Sequence, residues 1–258
     1  MATLFGAILF LVLCAGIMIP LERLFPRDGV RQSPSDAFAC AALFVVNVLL
    51  MHAIGGSLLA SAMIAPTWGP SSAPALLIAA LVLGDLAGYL VHRAMHRVPW
   101  LWRLHRVHHD PVLLSWMEAW RVHPVDFLLH GLAVGLPGAL MGASLSDVVA
   151  LVLVRRAWTA FLHADVHIPC GPLVWIIATP EFHSRHHSHD PRHHGRNFSG
   201  TFPLWDRLFG TYADSRAPDA RASADLGSQE SEALIIGIQG AAGTRSPSAP
   251  RRGTIHTA

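Results

Sequence analysis

Four stretches of this chain are too long and too apolar for ordinary surface segments, and they constrain its architecture more than any other feature. The first, "ATLFGAILFLVLCAGIMIPL" from Ala2 to Leu21, carries no charge. The second runs from about Phe38 to Ala65, and the third from about Pro74 to Val91 with only Asp85 interrupting it. A bilayer core is crossed by ~20 mostly apolar residues, so each is long enough to span. The fourth, Phe127 to Val154, contains Pro137, several glycines and Asp147 near its middle, which reads as a helical hairpin or a tilted, broken pair. No basic residue precedes the first run, so it reads as a retained span rather than a secretory signal. With 52% hydrophobic and 14% charged residues and a mean hydropathy of +0.40, the whole chain fits an all-α integral membrane bundle.

Arginine placement orients the spans, because cytoplasmic flanks carry the positive excess. Arg23, Arg27 and Arg31 follow the first span; Arg93, Arg97, Arg103 and Arg106 follow the third; Arg155 and Arg156 follow the fourth stretch. All three groups share one side if the N-terminus lies outside, which puts every histidine cluster on the cytoplasmic side. The 19 basic residues are all arginine, and the three groups just named flank spans instead of forming a stripe with interleaved aromatics, so no nucleic-acid surface is expected. Cys14, Cys40 and Cys170 form no pair at metal-ligand spacing and suggest no disulfide framework. Beyond Tyr212 the composition turns to Ala, Ser, Arg, Asp and Pro, and disorder is expected apart from a short apolar patch, "ALIIGI".

The chain has 17 histidines, and their spacing carries the chemistry. In "GDLAGYLVHRAMHR", Asp85, Tyr89, His92 and His96 step by four, three and four, one stripe of a helix leaving the membrane. "WRLHRVHHDP" supplies His105, His108 and His109 on one face of a turn, and "EFHSRHHSHD" repeats the arrangement with His183, His186 and His187. Two such triplets plus an H-x-x-x-H pair point to a metal site. "FLHADVH" adds His163, a further candidate ligand, and His167, which is equally readable as a loop residue. His123 precedes a proline and is either a ligand or a group that caps the next helix. His189, His193 and His194 exceed what a ligand set requires; His52, His130 and His256 lie outside the clusters and receive no role.

One four-coordinate ion takes four ligands, or three and a water. Eight or nine imidazoles therefore suit two ions with open positions. Ligand type alone does not name the metal, because imidazole suits iron, copper, zinc and nickel. Asp85, Asp165 and Asp190 are candidate acceptors for ligand N–H groups, and an ionisable Asp85 inside a span is expected to face a functional interior. A membrane di-zinc hydrolase of lipid esters or phosphates, and a metal-handling protein without chemistry, use the same histidines.

The motifs "HRAMH", "HRVHH" and "FHSRHH", followed by "NFSGTFPLWDRLFGTY", resemble the fatty acid hydroxylase and sterol desaturase superfamily of membrane-bound, histidine-rich di-iron oxygenases. The resemblance covers Asp85 to Tyr212, and "RVHP" and "FLHADVHIP" look most similar to bacterial members described as sterol desaturase-like. It implies that His92, His96, His105, His108, His109, His183, His186 and His187 hold two irons, with His163 a further ligand. Asp85 and Asp165, as acceptors for ligand N–H groups, are expected to support the catalytic site. The resemblance also implies a bundle of spans capped by a cytosolic, histidine-lined di-metal pocket in a bacterial cell membrane. An O₂-dependent hydroxylation or desaturation of a lipid C–H bond is then expected. No G-x-G-x-x-G, flavin or haem-attachment motif is present, so electrons are expected from a separate ferredoxin or cytochrome b5-like donor. The expected organisation is a transmembrane region over 1–72, a fatty acid hydroxylase-like catalytic domain over 73–212, and a tail over 213–258.

Overall fold

Local capping chemistry sets where the helices begin. The computed structural model describes residues 2–29, 32–55, 74–111 and 114–214. Helix α1 (Ala2–Leu24) is followed by α2 (Pro34–Leu50), whose N-cap Ser33 accepts a hydrogen bond from the Asp36 backbone N–H, with Pro34 at the first helical position. A wider turn, Met51–Gly55, extends α2. Helix α3 spans Pro74–Arg97, and after a one-residue break α4 (Pro99–His109) starts on another proline. Thr3–Leu24, Pro34–Ile54 and Pro74–Arg97 are long and apolar enough to cross a membrane, with mean hydropathies of 2.7, 2.3 and 2.0.

The fourth apolar stretch is a helical hairpin, α5 (Pro124–Leu140) and α6 (Leu145–His163). Asp147, the charge near the middle of that stretch, lies in the first turn of α6. Its backbone N–H donates to the N-cap Ser144 and its carboxylate accepts from the same hydroxyl. Gly142, with φ of 85°, makes the left-handed turn between the two helices. Two short helices complete the fold, α7 (Pro180–His186) and α8 (Leu204–Leu208), with single 3₁₀ turns between elements. Among the described residues the only β-type pairing is an isolated bridge between Pro26 and Val166.

Two structural devices position the metal-site region. Where α3 crosses α5, Gly84 meets the backbone of Val134 so closely that a Cβ there would lie 2.5 Å from the Val134 carbonyl oxygen, and a Cβ on Gly138 would lie 3.3 Å from the Ala80 side chain. Small residues at a crossing let apolar helices approach closely without a hydrophobic driving force. At the end of α1, Glu22 accepts from the backbone N–H groups of Trp116 and Asp165, joining the span to two separate loops. The second apolar run extends beyond Gly55 in sequence; its remainder, and the tail with its "ALIIGI" patch, lie outside the described residues.

Candidate metal centre

Four helices each deliver histidines to one place. His92 and His96 are one turn apart at the end of α3; His105, His108 and His109 follow on α4; His163 ends α6; His183 and His186 lie on α7, and His187 caps it. Their nitrogens form two groups, His92, His96, His105, His109 and His186 in one, and His108, His163, His183 and His187 in the other. Within each group the ligand atoms all lie within 4.8 Å of one another. All nine residues singled out by spacing are brought together. The groups adjoin, with the rings of His109 and His187 stacked at 4.2 Å between centroids.

Hydrogen bonds to the outer nitrogen fix how several rings face. The Nδ1–H groups of His92, His186 and His163 donate to the carbonyl oxygens of Phe198, Arg196 and Thr159 at 2.8, 2.7 and 2.8 Å. A carbonyl can only accept, so each Nδ1 carries the proton and each Nε2 keeps a lone pair directed inward. His105 is fixed by a carboxylate instead, with Nδ1 2.7 Å from Asp126 Oδ2.

The inner nitrogens are largely orphaned. His92 Nε2, His105 Nε2, His109 Nε2, His186 Nε2 and both nitrogens of His96 and His187 are buried without a hydrogen-bond partner. Unpaired buried acceptors are costly, and a cation shared among them removes that cost. In the second group the Nε2 atoms of His108 and His163 face each other at 3.0 Å, and those of His183 and His163 at 3.2 Å. Two imidazole nitrogens each ~2.1 Å from one ion at a right angle would be about 3 Å apart. The donor set therefore fits metal binding. Burial first, and then the neighbouring imidazoles, hold His108, His109, His183 and His187 well below the usual histidine range; burial lowers His186 to about 3. These rings stay neutral, the form that binds metal.

The carboxylate that orients the cluster is Asp126, which spacing did not single out. Its Oδ2 takes His105, its Oδ1 takes His130 Nδ1 at 2.7 Å, and it is 1% exposed. The i, i+4 pair in "DFLLH" was a local signal for its bond to His130, whereas its bond to His105 spans separate helices. Asp85 does something other than hold a ligand ring: it accepts from the Phe202 N–H and Trp205 Nε1–H and pairs with Arg155 Nη2 at 3.1 Å. It ties α3 to the segment carrying "WDRLFGT". In that segment Asp206 accepts from the N–H groups of Phe198 and Ser199 and from the Thr211 hydroxyl, which holds the Phe198 carbonyl against His92.

Asp165 accepts from the Asp28 N–H at 2.8 Å, and Asp190 pairs with Arg192. His123 caps α5, accepting from the Val125 N–H, and His193 lies 3.3 Å from the Arg185 guanidinium. His167 is 65% exposed and faces Glu181. Beside the first group, His92, His105, Asp126 and Thr159 border a cavity of about 100 Å³ that also reaches His108 and His163.

The profile of the family described as fatty acid hydroxylase matches residues 77–211. The chain is 32% identical over 148 residues to the ornithine lipid hydroxylase OlsE of Rhizobium tropici, covering 57% of this chain and 44% of that protein. It is 26% identical over 152 residues to the alkylglycerol monooxygenase of Caenorhabditis elegans, covering 58% and 29%. Against methylsterol monooxygenase 1 of Gallus gallus it is 31% identical over 132 residues, covering 50% and 43%. The chain thus spans less than half the length of each of these relatives. No solved structure matches it.

Proposed function

The chain belongs to the fatty acid hydroxylase family, and from that premise we propose that it is a membrane-bound di-iron oxygenase that hydroxylates or desaturates a lipid. The observation that carries this reading is the pair of buried imidazole groups with inward-facing, unpartnered nitrogens. His92, His96, His105, His109 and His186 would hold one iron, and His108, His163, His183 and His187 the other. When bound, the irons supply the chemistry that no side chain can, reduction of O₂ and removal of hydrogen from an unactivated C–H bond. For hydroxylation, one O₂, two electrons and two protons convert a C–H bond to C–OH and release one water; for desaturation, two hydrogens leave the lipid and two waters form.

The protein's own residues position and insulate. The Phe198 and Arg196 carbonyls and Asp126 keep imidazoles in the tautomer whose Nε2 faces inward and raise their basicity. Asp206 and Asp85 hold the loop that carries the Phe198 carbonyl. Burial of the histidines keeps bulk water from the reacting centre. Electrons come from a separate ferredoxin or cytochrome b5-like protein on the cytoplasmic side, where arginines flank the spans. The names of the relatives, a hydroxylase and monooxygenases, favour the oxygenase over a di-zinc hydrolase.

Anaerobic purification, metal analysis and lipid mass spectrometry of cells with and without the protein test the reading together. Two irons per chain and lipids that gain one oxygen or lose two hydrogens are expected. Full activity with zinc in the absence of O₂ would reverse it in favour of hydrolysis.

A further inference from the structure

One face of α6 passes from one cavity into another. Leu145, Val149, Val152 and Arg156 line an apolar cavity of about 350 Å³, closed opposite by Phe10 and Phe44 of the first two spans. Further along the same helix, Val152, Arg156, Thr159 and His163 line the about 100 Å³ cavity at the histidines. Val152 and Arg156 belong to both. From Leu145 to Arg156 the apolar cavity follows roughly 16 Å of helix at ~1.5 Å per residue, about half of a ~30 Å hydrocarbon core. Leu145 and Val149 are each nearly half exposed, so the cavity opens sideways toward the bilayer.

Arg156 stands at the junction with donors to spare. Its guanidinium stacks 3.6 Å from the centroid of the Phe127 ring and donates one hydrogen bond, to the Phe127 carbonyl at 2.9 Å. Its neighbour Arg155 has a carboxylate partner in Asp85, but Arg156 has none within ion-pair distance among the described residues. Asp126, which lines the cavity at the histidines, has both oxygens engaged by His105 and His130. A guanidinium offers five N–H donors in a planar fork that matches a carboxylate or phosphate.

Resting on the oxygenase reading, we propose that the apolar cavity takes one chain of an anionic bilayer lipid and that Arg156 binds its carboxylate or phosphate. The sideways opening lets a second chain remain in the bilayer. The smaller cavity has room for a short polar segment but not for a chain of the length the apolar cavity accepts. The carbon presented to the histidines therefore lies near the polar end of the lipid, and Arg156 is the residue that selects for charge there.

The test uses the full chain loaded with iron in uncharged maltoside micelles. Palmitate and dipalmitoyl phosphatidic acid are titrated against their uncharged counterparts, hexadecanol and dipalmitoylglycerol. The charged lipids are expected to bind about tenfold more tightly or better. Arg156→Gln should abolish that preference while iron content stays unchanged, and Arg156→Lys should restore part of it. Gly6→Leu adds a side chain to the apolar cavity at a position where a Cβ meets nothing within 4 Å, and should weaken all four lipids alike. Equal binding of charged and uncharged lipids by the unmodified chain, or a preference that survives Arg156→Gln, overturns the proposal. Should Arg156→Gln not fold, Arg156→Lys decides: a charge preference as large as that of the unmodified chain overturns the proposal. Iron-dependent oxygenation without a charge preference would remove this proposal alone; an Arg156-dependent preference without oxygenation of any lipid would remove the oxygenase reading alone.

Discussion

Asp126 Oδ2 lies 2.7 Å from His105 Nδ1, and both side chains are almost wholly removed from solvent. The carboxylate orients an imidazole on another helix and leaves that ring's Nε2 free to face the cluster. Asp126→Asn keeps the shape and removes the charge. Loss of such an outer partner costs ~10–100-fold in metal affinity, so chelator competition should show one class of metal site weakened by about that factor. Unchanged affinity of both sites would mean that Asp126 serves packing alone.

Acid should destabilise the metal-free protein. His109, His183, His186 and His187 are held neutral by burial in the folded state, whereas in the unfolded chain a histidine takes up a proton near ~6.5. Below that value the unfolded state binds more protons, so stability falls as pH drops through about 6.5 and keeps falling toward the folded-state values, about 3 for His186. Thermal melts of metal-free protein in detergent between neutral and mildly acidic pH should show a falling midpoint. A midpoint that rises on acidification would contradict the neutral, buried assignment.

His96 and His167 each follow another histidine by four residues, yet they should behave oppositely. Both nitrogens of His96 are buried without partners inside the first group, while His167 is mostly exposed beside Glu181. His96→Ala should lower bound metal, and His167→Ala should leave the metal content of the purified protein as it was. Equal loss from both variants would count against the two groups as the ligand set.

Asp206 holds two backbone N–H groups and a hydroxyl inside the fold. Asp206→Ala leaves these donors unpaired, at ~1–3 kcal/mol for each buried group. A loss of roughly 3 kcal/mol or more is expected in denaturant unfolding, together with reduced metal binding, because the Phe198 carbonyl that orients His92 sits on the released loop.

Gly84→Ala tests the helix crossing. Its added methyl would lie 2.5 Å from the Val134 carbonyl oxygen, backbone that cannot rotate away. Overpacking of this kind costs ~1–3 kcal/mol, so a lower melting temperature is expected. A neutral effect would show that α3 and α5 slide past each other freely.

Apolar length and histidine spacing are enough to mark the long apolar helices and the nine histidines that the fold gathers. Both are local signals, since apolar length is counted along the chain and i, i+3 and i+4 spacing places side chains on one helix face whatever surrounds it. His123 was legible as a helix cap for the same reason, although its alternative as a ligand stayed open until the structure showed its bond to Val125. The tertiary structure alone decided how the histidines divide into two groups, because each group draws rings from several helices. It also decided that Asp126 orients a ring while Asp85 ties α3 to the "WDRLFGT" segment, bonds that join residues 21 and 117 or more positions apart. An acidic residue shows its charge in the sequence, but its partner depends on where distant helices pack, and the same packing sets Arg156 between the two cavities.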